Sequence, residues 1–466
     1  MFHFLRRQTV RWLLLFGIAE LLLLAGSLHV AMHIRYIGNP EDRLYVSHHL
    51  LLRSFIFAAV ILLGMAALGE YRTHLRTTWQ GALARQAVAF VIGGLLLVIG
   101  YYAVPQAYVG RGVLGIALVI GFVAVMMFRL LFMRVVDIDS LKPRVLILGT
   151  GHRAAQIHNR MRRRSDRRGF TIVGYLPCPG EELAIPAEHV LALDAPLPDL
   201  VRREQINEIV VGVDDRRGRL PMDGLLQCRQ AGVMITDLTT FFERESGRVQ
   251  LSWLEPSWLV FSHGFNATPV RRLSKRCFDV LAASVLLLLC WPLMVAVALA
   301  IRLESGPGQP ILYRQERVGE DGKTFWLLKF RSMRTDAERD GVARWASKHD
   351  DRVTRVGRVC RKLRFDELPQ LWNVLKSDMS IVGPRPERPQ FVADLATKIP
   401  FYSLRHCLKP GLAGWAQLSY PYGASEEDAA EKLKYDLFYV KNHNLLLDML
   451  ILIETVEVVL FHRGAR

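Results

Sequence analysis

Apolar residues come in blocks over the first third of the chain. Four runs, from Trp12 to Met32, Leu51 to Gly69, Leu83 to Val104 and Gly112 to Met133, each approach the ~20 residues that cross a hydrocarbon core. The first contains one acid, Glu20, and the others are nearly free of charge. The first run follows Arg6, Arg7 and Arg11, is too long for a secretory h-region and ends on no clear small-x-small site, so it reads as a retained span. Basic residues gather before the first run, between the second and third (Arg72, Arg76, Arg85) and after the fourth (Arg134, Lys142, Arg144). That bias puts the N-terminus and everything after residue 134 on the cytoplasmic side.

The period changes at Pro143. Arg144 to Gly149 reads as a buried parallel strand, Ala155, Ile157 and Met161 have helical spacing, and further strands are expected over Phe170–Leu176 and Ile206–Val213. Strands alternating with helices predict a doubly wound α/β domain ending near Glu243. Its first turn, Gly149-x-Gly151-x-x-Ala154, matches a dinucleotide fingerprint in part. The acid that would hold the ribose is missing, because the second strand ends Gly174-Tyr175-Leu176. A nucleotide site and a structural or regulatory domain with a tight turn both stay open.

After a linker rich in Trp and Ser (Leu251 to Pro269) comes one more uncharged apolar run, Val280 to Ile301. Arg271, Arg272, Lys275 and Arg276 precede it, Arg302 follows it, and Pro292 sits inside. A full crossing would carry the rest of the chain to the other side. Basic residues at both ends and a proline that bends the axis favour a re-entrant hairpin. Leu445 to Phe461 is apolar but carries Asp448, Glu454 and Glu457, an amphipathic pattern that predicts a helix lying on or under the membrane face.

Composition agrees with a membrane protein that handles anions. Of 466 residues, 51% are hydrophobic, and the formal net charge is +16. Such a balance suits an anionic membrane surface or phosphorylated substrates, and the hydrophobicity argues against nucleic acid. The six cysteines form no CxxC pair and have no histidine cluster, so neither zinc nor a disulfide framework is expected.

Candidate chemistry lies beyond the last apolar run. Ile311–Val318 and Thr324–Arg331 read as two strands joined by an Asp-Gly turn. Lys329 and Arg331, two apart, share a strand face that could meet a phosphate or be an exposed edge. Asp366 fits a helix N-cap, with Pro369 in the first turn. Asp366 and Glu367 are adjacent carboxylates at a helix start beside several arginines, and dipole and arginines favour their ionised forms. An ionised carboxylate can attack phosphorus or hold a hard divalent cation, though an Asp-Glu pair at a helix start is far more often only a cap. Gly383-Pro-Arg-Pro-Glu387 is a loop whose prolines freeze the backbone around Arg385, and a fixed guanidinium suits bidentate phosphate recognition.

Taken in order, Pro292 in its apolar run, Lys329-Phe-Arg-Ser-Met333, Asp366-Glu-Leu-Pro-Gln-Leu-Trp372, Gly383-Pro-Arg-Pro-Glu387 and Pro410-Gly-x-x-Gly-Trp-Ala-Gln417 resemble the bacterial sugar transferase family, the polyprenyl-phosphate hexose-1-phosphate transferases. The resemblance covers roughly residues 271–466, and the whole chain is similar to the long exopolysaccharide-initiating members linked to exosortase-type systems. One departure is Trp291, where some members have Ser before the proline. The resemblance implies a multi-pass protein of the bacterial inner membrane with its catalytic domain on the cytoplasmic face. Its parts would be four transmembrane helices (1–135), a Rossmann-like domain (143–250) and an α/β catalytic domain (271–466) with a re-entrant hairpin over 274–302. It implies a UDP-sugar donor, undecaprenyl phosphate as acceptor, inner-membrane lipids as surroundings, Mg²⁺ on the diphosphate, and no nucleic acid; a homodimer stays open. Mapped onto this sequence, Asp366 is the nucleophile, Glu367 helps hold Mg²⁺, and Lys329, Arg331, Arg352 and Arg385 meet phosphate oxygens. Two rivals are weighed. A dehydratase or epimerase would rest on the Gly149-x-Gly151 turn, but no Tyr-x-x-x-Lys stands beside it. A scaffold with a degenerate enzyme domain is opposed by the intact Asp366, Glu367 and Arg385.

Overall fold

The apolar blocks form helices in the computed structural model, which describes residues 8–38, 50–68, 70, 79–103, 108–135, 142–161, 169–192, 194–215, 220–254, 268–306, 308–334, 352–420 and 425–461. Arg6, Arg7, Arg72, Arg76 and most of the 251–269 linker lie outside these residues. The chain divides into two units, Met1–Ser246 and Gly247–Arg466.

The first unit opens with α1 (Gln8–Arg35), α2 (Leu50–Ala67), α3 (Trp79–Ala103) and α4 (Arg111–Val135). Within these, Leu15–Arg35, Gly81–Tyr102 and Arg111–Phe132 are long and apolar enough to cross a bilayer, whereas Leu50–Ala66 is shorter. Glu20 is fully buried, and Arg129 on α4 holds it through Nε at 2.6 Å while also bonding Glu70. An intramembrane charge needs such a partner, so this pairing ties the register of α1 to that of α4.

The same unit continues as an α/β domain: β1 (Arg144–Leu148), α5 (His152–Arg160), β2 (Thr171–Leu176), α6 (Leu197–Arg203), β3 (Glu208–Val211), α7 (Met222–Gln230), β4 (Met234–Asp237) and α8 (Leu238–Ser246). All strand pairs are parallel, in the order β2-β1-β3-β4, with Val145 opposite Ile172 and Ile147 opposite Val210. The central strand Arg-Val-Leu-Ile-Leu is buried on both faces, as a covered parallel sheet requires. Leu146, Leu148, Ile209 and Val211 pack with Leu200, Val201 and Leu225. β4 was not expected from the sequence, because it is a four-residue edge strand, only partly buried, whose Thr236 and Asp237 dilute any apolar run.

The second unit begins with Gly247–Leu254, whose Val249 and Leu254 pack against Tyr402, Leu433 and Leu437. Then comes α9 (Pro269–Ser305), opened by a Thr268 N-cap and a proline at the first position. Pro292 lies inside this one 37-residue helix rather than in a turn between two. Both halves of α9 nevertheless pack on the same unit. Ala283 and Leu287 join the cluster of Leu371, Val374 and Ile381, while Val297 and Ile301 join Phe330 and Cys360. Between them Leu288, Leu289 and Trp291 stand out, 72%, 70% and 58% exposed.

The remaining elements are an antiparallel hairpin, β5 (Leu312–Val318) and β6 (Thr324–Phe330), then α10 (Arg355–Lys362), α11 (Gln370–Leu375), β7 (Ser380–Val382), α12 (Pro389–Lys398), β8 (Gly411–Ala413), α13 (Trp415–Ser419), α14 (Glu426–Asn442) and α15 (Leu445–Phe461). β7 and β8 pair in parallel. The amphipathic reading of α15 needs correction at Asp448, which belongs to no polar face. It is fully buried, takes Lys275 Nζ of α9 at 2.8 Å and accepts the Tyr439 hydroxyl at 2.7 Å.

Candidate active site

Asp366 and Glu367 sit on a 3-10 turn, Phe365–Glu367, between α10 and α11. Arg364 before it adopts a left-handed conformation (φ 61°), which ends α10 sharply and sends both carboxylates inward, 8% and 9% exposed. The N-cap expected of Asp366 is therefore corrected. Pro369 occupies the N-cap position of α11, and the turn carrying Asp366 has no side-chain cap bond.

Cations converge on Glu367. Its Oε1 accepts from Arg385 Nη2 at 2.8 Å and from Lys329 Nζ at 3.4 Å, with Arg364 Nη1 at 3.7 Å. Burial pushes the Glu367 carboxyl up, but Arg385, Lys329 and Arg364 outweigh it and hold it well below the usual range. Asp366 goes the other way, raised by burial and then by the Glu367 charge, against Lys329 and Arg364. The cations thus prevail over burial at Glu367, whereas at Asp366 burial and the Glu367 charge outweigh them. The Oδ1 atom of Asp366 is buried and has no hydrogen-bond partner among the described residues. A buried acceptor left unmet is costly and calls for an explanation.

Each partner is aimed by its own support. On α11, Asn373 accepts the Leu328 N–H at 3.0 Å and donates to the Trp326 carbonyl at 2.8 Å, which locks β6 to α11 and sets Lys329 opposite Glu367. Burial lowers the Lys329 amine, and Glu367 offsets this in part. The Arg385 loop is pinned along its whole length. The Pro384 carbonyl accepts from Gly411 N at 2.9 Å, Arg385 from Arg405 Nη2 at 2.9 Å, Pro386 from Arg317 Nη1 at 3.2 Å and Glu387 from Val318 N at 3.0 Å. Arg405 is buried and paired with buried Asp436 at 2.8 Å, and it donates to the Tyr402 hydroxyl at 2.8 Å. Arg317 is so desolvated that its pKa drops to about 10, despite Glu387 beside it. Arg317 and Arg405 escaped the sequence reading, since neither stands in a recognisable motif.

Arg331 and Arg352 have partners of their own. Arg331 follows the end of β6; its Nη1 bonds Gln309 at 3.4 Å, and its charged neighbour is Glu304. Arg352 stands beside the Met333–Val353 bridge, its carbonyl accepting from Arg334 N. Pro292 belongs to the exposed middle of α9. The first half of α9 is tied to the site: Arg276 caps the end of α11 through the Val374 and Leu375 carbonyls, at 2.7 and 2.8 Å, and Asp279 accepts from Ser380 Oγ and Ile381 N.

The family model described as bacterial sugar transferase matches residues 270–462, which take in α9 and the whole carboxylate site. The exopolysaccharide production protein PSS of Rhizobium leguminosarum bv. phaseoli is 40% identical over 188 residues, 39% of this chain and 92% of that protein. The chain belongs to the bacterial sugar transferase family. Longer members are similar as well. The UDP-N-acetylgalactosamine-undecaprenyl-phosphate N-acetylgalactosaminephosphotransferase of Aeromonas hydrophila is 43% identical over 242 residues, 52% of this chain and 56% of that one. The undecaprenyl-phosphate glucose phosphotransferase of Komagataeibacter xylinus is 33% identical over 331 residues, 69% of this chain and 60% of that one. This chain thus spans little more than half the length of those two relatives. As a sugar transferase family member it carries Lys329 and Arg385 around the buried carboxylates of Asp366 and Glu367, while the helix bundle and the α/β domain fall outside the family match.

Proposed function

We propose that this protein transfers a hexose-1-phosphate from a UDP-sugar to undecaprenyl phosphate, the first step in building an exopolysaccharide repeat. The observation that carries this reading is the buried Oδ1 of Asp366, without a hydrogen-bond partner among the described residues, beside a Glu367 already held by Arg385 and Lys329. Oε1 of Glu367 is committed to the cations, so Asp366 is the carboxylate left to react. Its ionised oxygen attacks the sugar-bearing phosphorus, an O–P bond forms, and the bond to the bridging oxygen breaks, so that UMP leaves with the electron pair. An oxygen of undecaprenyl phosphate then attacks the same phosphorus and releases Asp366. Positioning and charge neutralisation dominate such a reaction. Arg385 and Lys329 supply both, with Arg331 and Arg352 as outer candidates for phosphate oxygens.

Mg²⁺ fits the donor set. Among the described residues no group of three metal-binding side chains gathers, and Glu367 would offer one carboxylate to the ion. Mg²⁺ needs no more than that when substrate phosphates complete its shell. When bound there it would neutralise charge on the diphosphate.

We also propose that α9 is re-entrant at the inner membrane, with the catalytic unit on the cytoplasmic face. A straight helix of 37 residues would span about 55 Å. Packing of both halves on one unit, and an exposed apolar middle around Pro292, support a bend that keeps both ends on one side. The donor is soluble and the acceptor lies in the bilayer, so the chemistry belongs at that surface. The test is UMP release by purified protein with undecaprenyl phosphate, Mg²⁺ and a panel of UDP-sugars, N-acetylgalactosamine and glucose among them. Release that depends on the lipid, on Mg²⁺ and on one sugar is expected. Folded protein that releases UMP with none of them would refute the reading.

A further inference from the structure

The Gly149-x-Gly151 turn is left over by the proposed transferase chemistry, and its surroundings say what it does. In an open parallel sheet, ligands sit outside the carboxyl ends of the strands where the strand order reverses. In the order β2-β1-β3-β4 that place lies between the ends of β1 and β3, where the turn 149–153 meets the loop 212–215. A pyrophosphate there would take the N–H groups at the start of α5. Those groups are already bonded. Asp214 Oδ2 accepts from His152 N at 2.8 Å and Oδ1 from Arg153 N at 2.8 Å. Glu181, from the loop after β2, accepts from Thr150 N at 3.0 Å through Oε2 and from Asp214 N at 2.9 Å through Oε1. Two carboxylates therefore satisfy four amides and bind together the loops that follow β1, β2 and β3.

Gly151 shows which anion the turn is shaped for. A Cβ at that position would lie 2.2 Å from Asp214 Oδ2 and 2.7 Å from its Cγ. The missing side chain, which in a dinucleotide site lets backbone approach phosphate, here lets backbone approach Asp214. A dianionic phosphate could not join this carboxylate, because like charges would share the same N–H groups in a small space.

We infer that the α/β domain carries a phosphate-type anion cradle filled by the chain's own Asp214, with Glu181 as its brace, so that the domain keeps its fold without a dinucleotide. Removing the Asp214 charge frees the His152 and Arg153 amides and opens the cradle to a phosphate. The inference rests on the α/β domain alone and stands or falls apart from the proposed transferase activity.

The test uses the full-length protein in nanodiscs, with NAD⁺ and inorganic pyrophosphate as probes counted by equilibrium dialysis. The catalytic unit is common to all variants, so any pyrophosphate it takes cancels in the comparison. Wild-type protein is expected to hold no NAD⁺, and Asp214→Ala to take up about one more pyrophosphate per chain than wild type. Asp214→Ser, which keeps a short polar side chain, is expected to show the same gain and serves if the alanine variant does not fold. Equal pyrophosphate uptake by wild type and a folded Asp214 variant would overturn the inference. So would stoichiometric NAD⁺ binding by the wild type, a readout that needs no variant at all.

Discussion

Arg405 offers the sharpest test of how the Arg385 loop is held. Arg405→Met removes a guanidinium that pairs with Asp436 at 2.8 Å and donates to the Arg385 carbonyl at 2.9 Å. Asp436, 2% exposed, is left as an uncompensated buried charge. Breaking such a pair costs about 3–5 kcal/mol, which for a unit of this size lowers the melting temperature by about 6–20 °C. Replacing both partners, Arg405→Met with Asp436→Leu, removes the stranded charge, and most of that loss should return. Turnover should not return with it. Without Arg405 the Arg385 carbonyl has lost its donor, the guanidinium on Glu367 is free to shift, and a displacement near 1 Å costs about 100-fold in kcat. Melting of the purified protein and UMP release at saturating donor separate the two effects. If turnover recovers together with stability in the double variant, Arg405 acts through folding alone and the positioning argument is wrong.

Three further outcomes follow from the same geometry. Asp366→Asn should abolish turnover and leave the melting temperature close to wild type, because Oδ1 has no hydrogen-bond partner to strand among the described residues; normal turnover would remove Asp366 from the mechanism. Attack needs ionised Asp366, whose pKa is raised, so activity should fall as pH drops through that raised value. Lys329 pulls it down, and Lys329→Met should move this acid limb of the pH–rate profile to higher pH, with an unmoved limb refuting the assignment. Gly411→Ala would put a Cβ 2.0 Å from Gly383 N and 2.5 Å from the Ala413 carbonyl, forcing β7 and β8 apart. That overpacking should cost at least about 1–3 kcal/mol in melting experiments, and an unshifted transition would show that the strands do not approach so closely.

Much of this protein is local and could be read along the chain. A run of apolar residues long enough for a bilayer states its own environment, and the Val-Leu-Ile run at 145–147 announces a buried strand without reference to any other segment. The motif residues Lys329, Asp366, Glu367 and Arg385 were legible too, because each stands in a short pattern of proline, glycine and charge. What stayed hidden depends on partners remote in sequence. Whether Glu20 is a liability in a span or a register pin depends on Arg129, 109 residues away. Whether the Gly149-x-Gly151 turn holds a nucleotide or a carboxylate depends on Asp214, 62 residues from the His152 amide it accepts. Asp366 looked like a cap because its neighbours in sequence are those of a helix start. A left-handed Arg364 and the burial of the turn instead left the Asp366 Oδ1 without a hydrogen-bond partner among the described residues. Apolar burial and helix propensity are summed over neighbouring residues, so the chain states them directly. The energy of a charge is set by its burial and by the one group opposite it, and only the tertiary fold chooses that group.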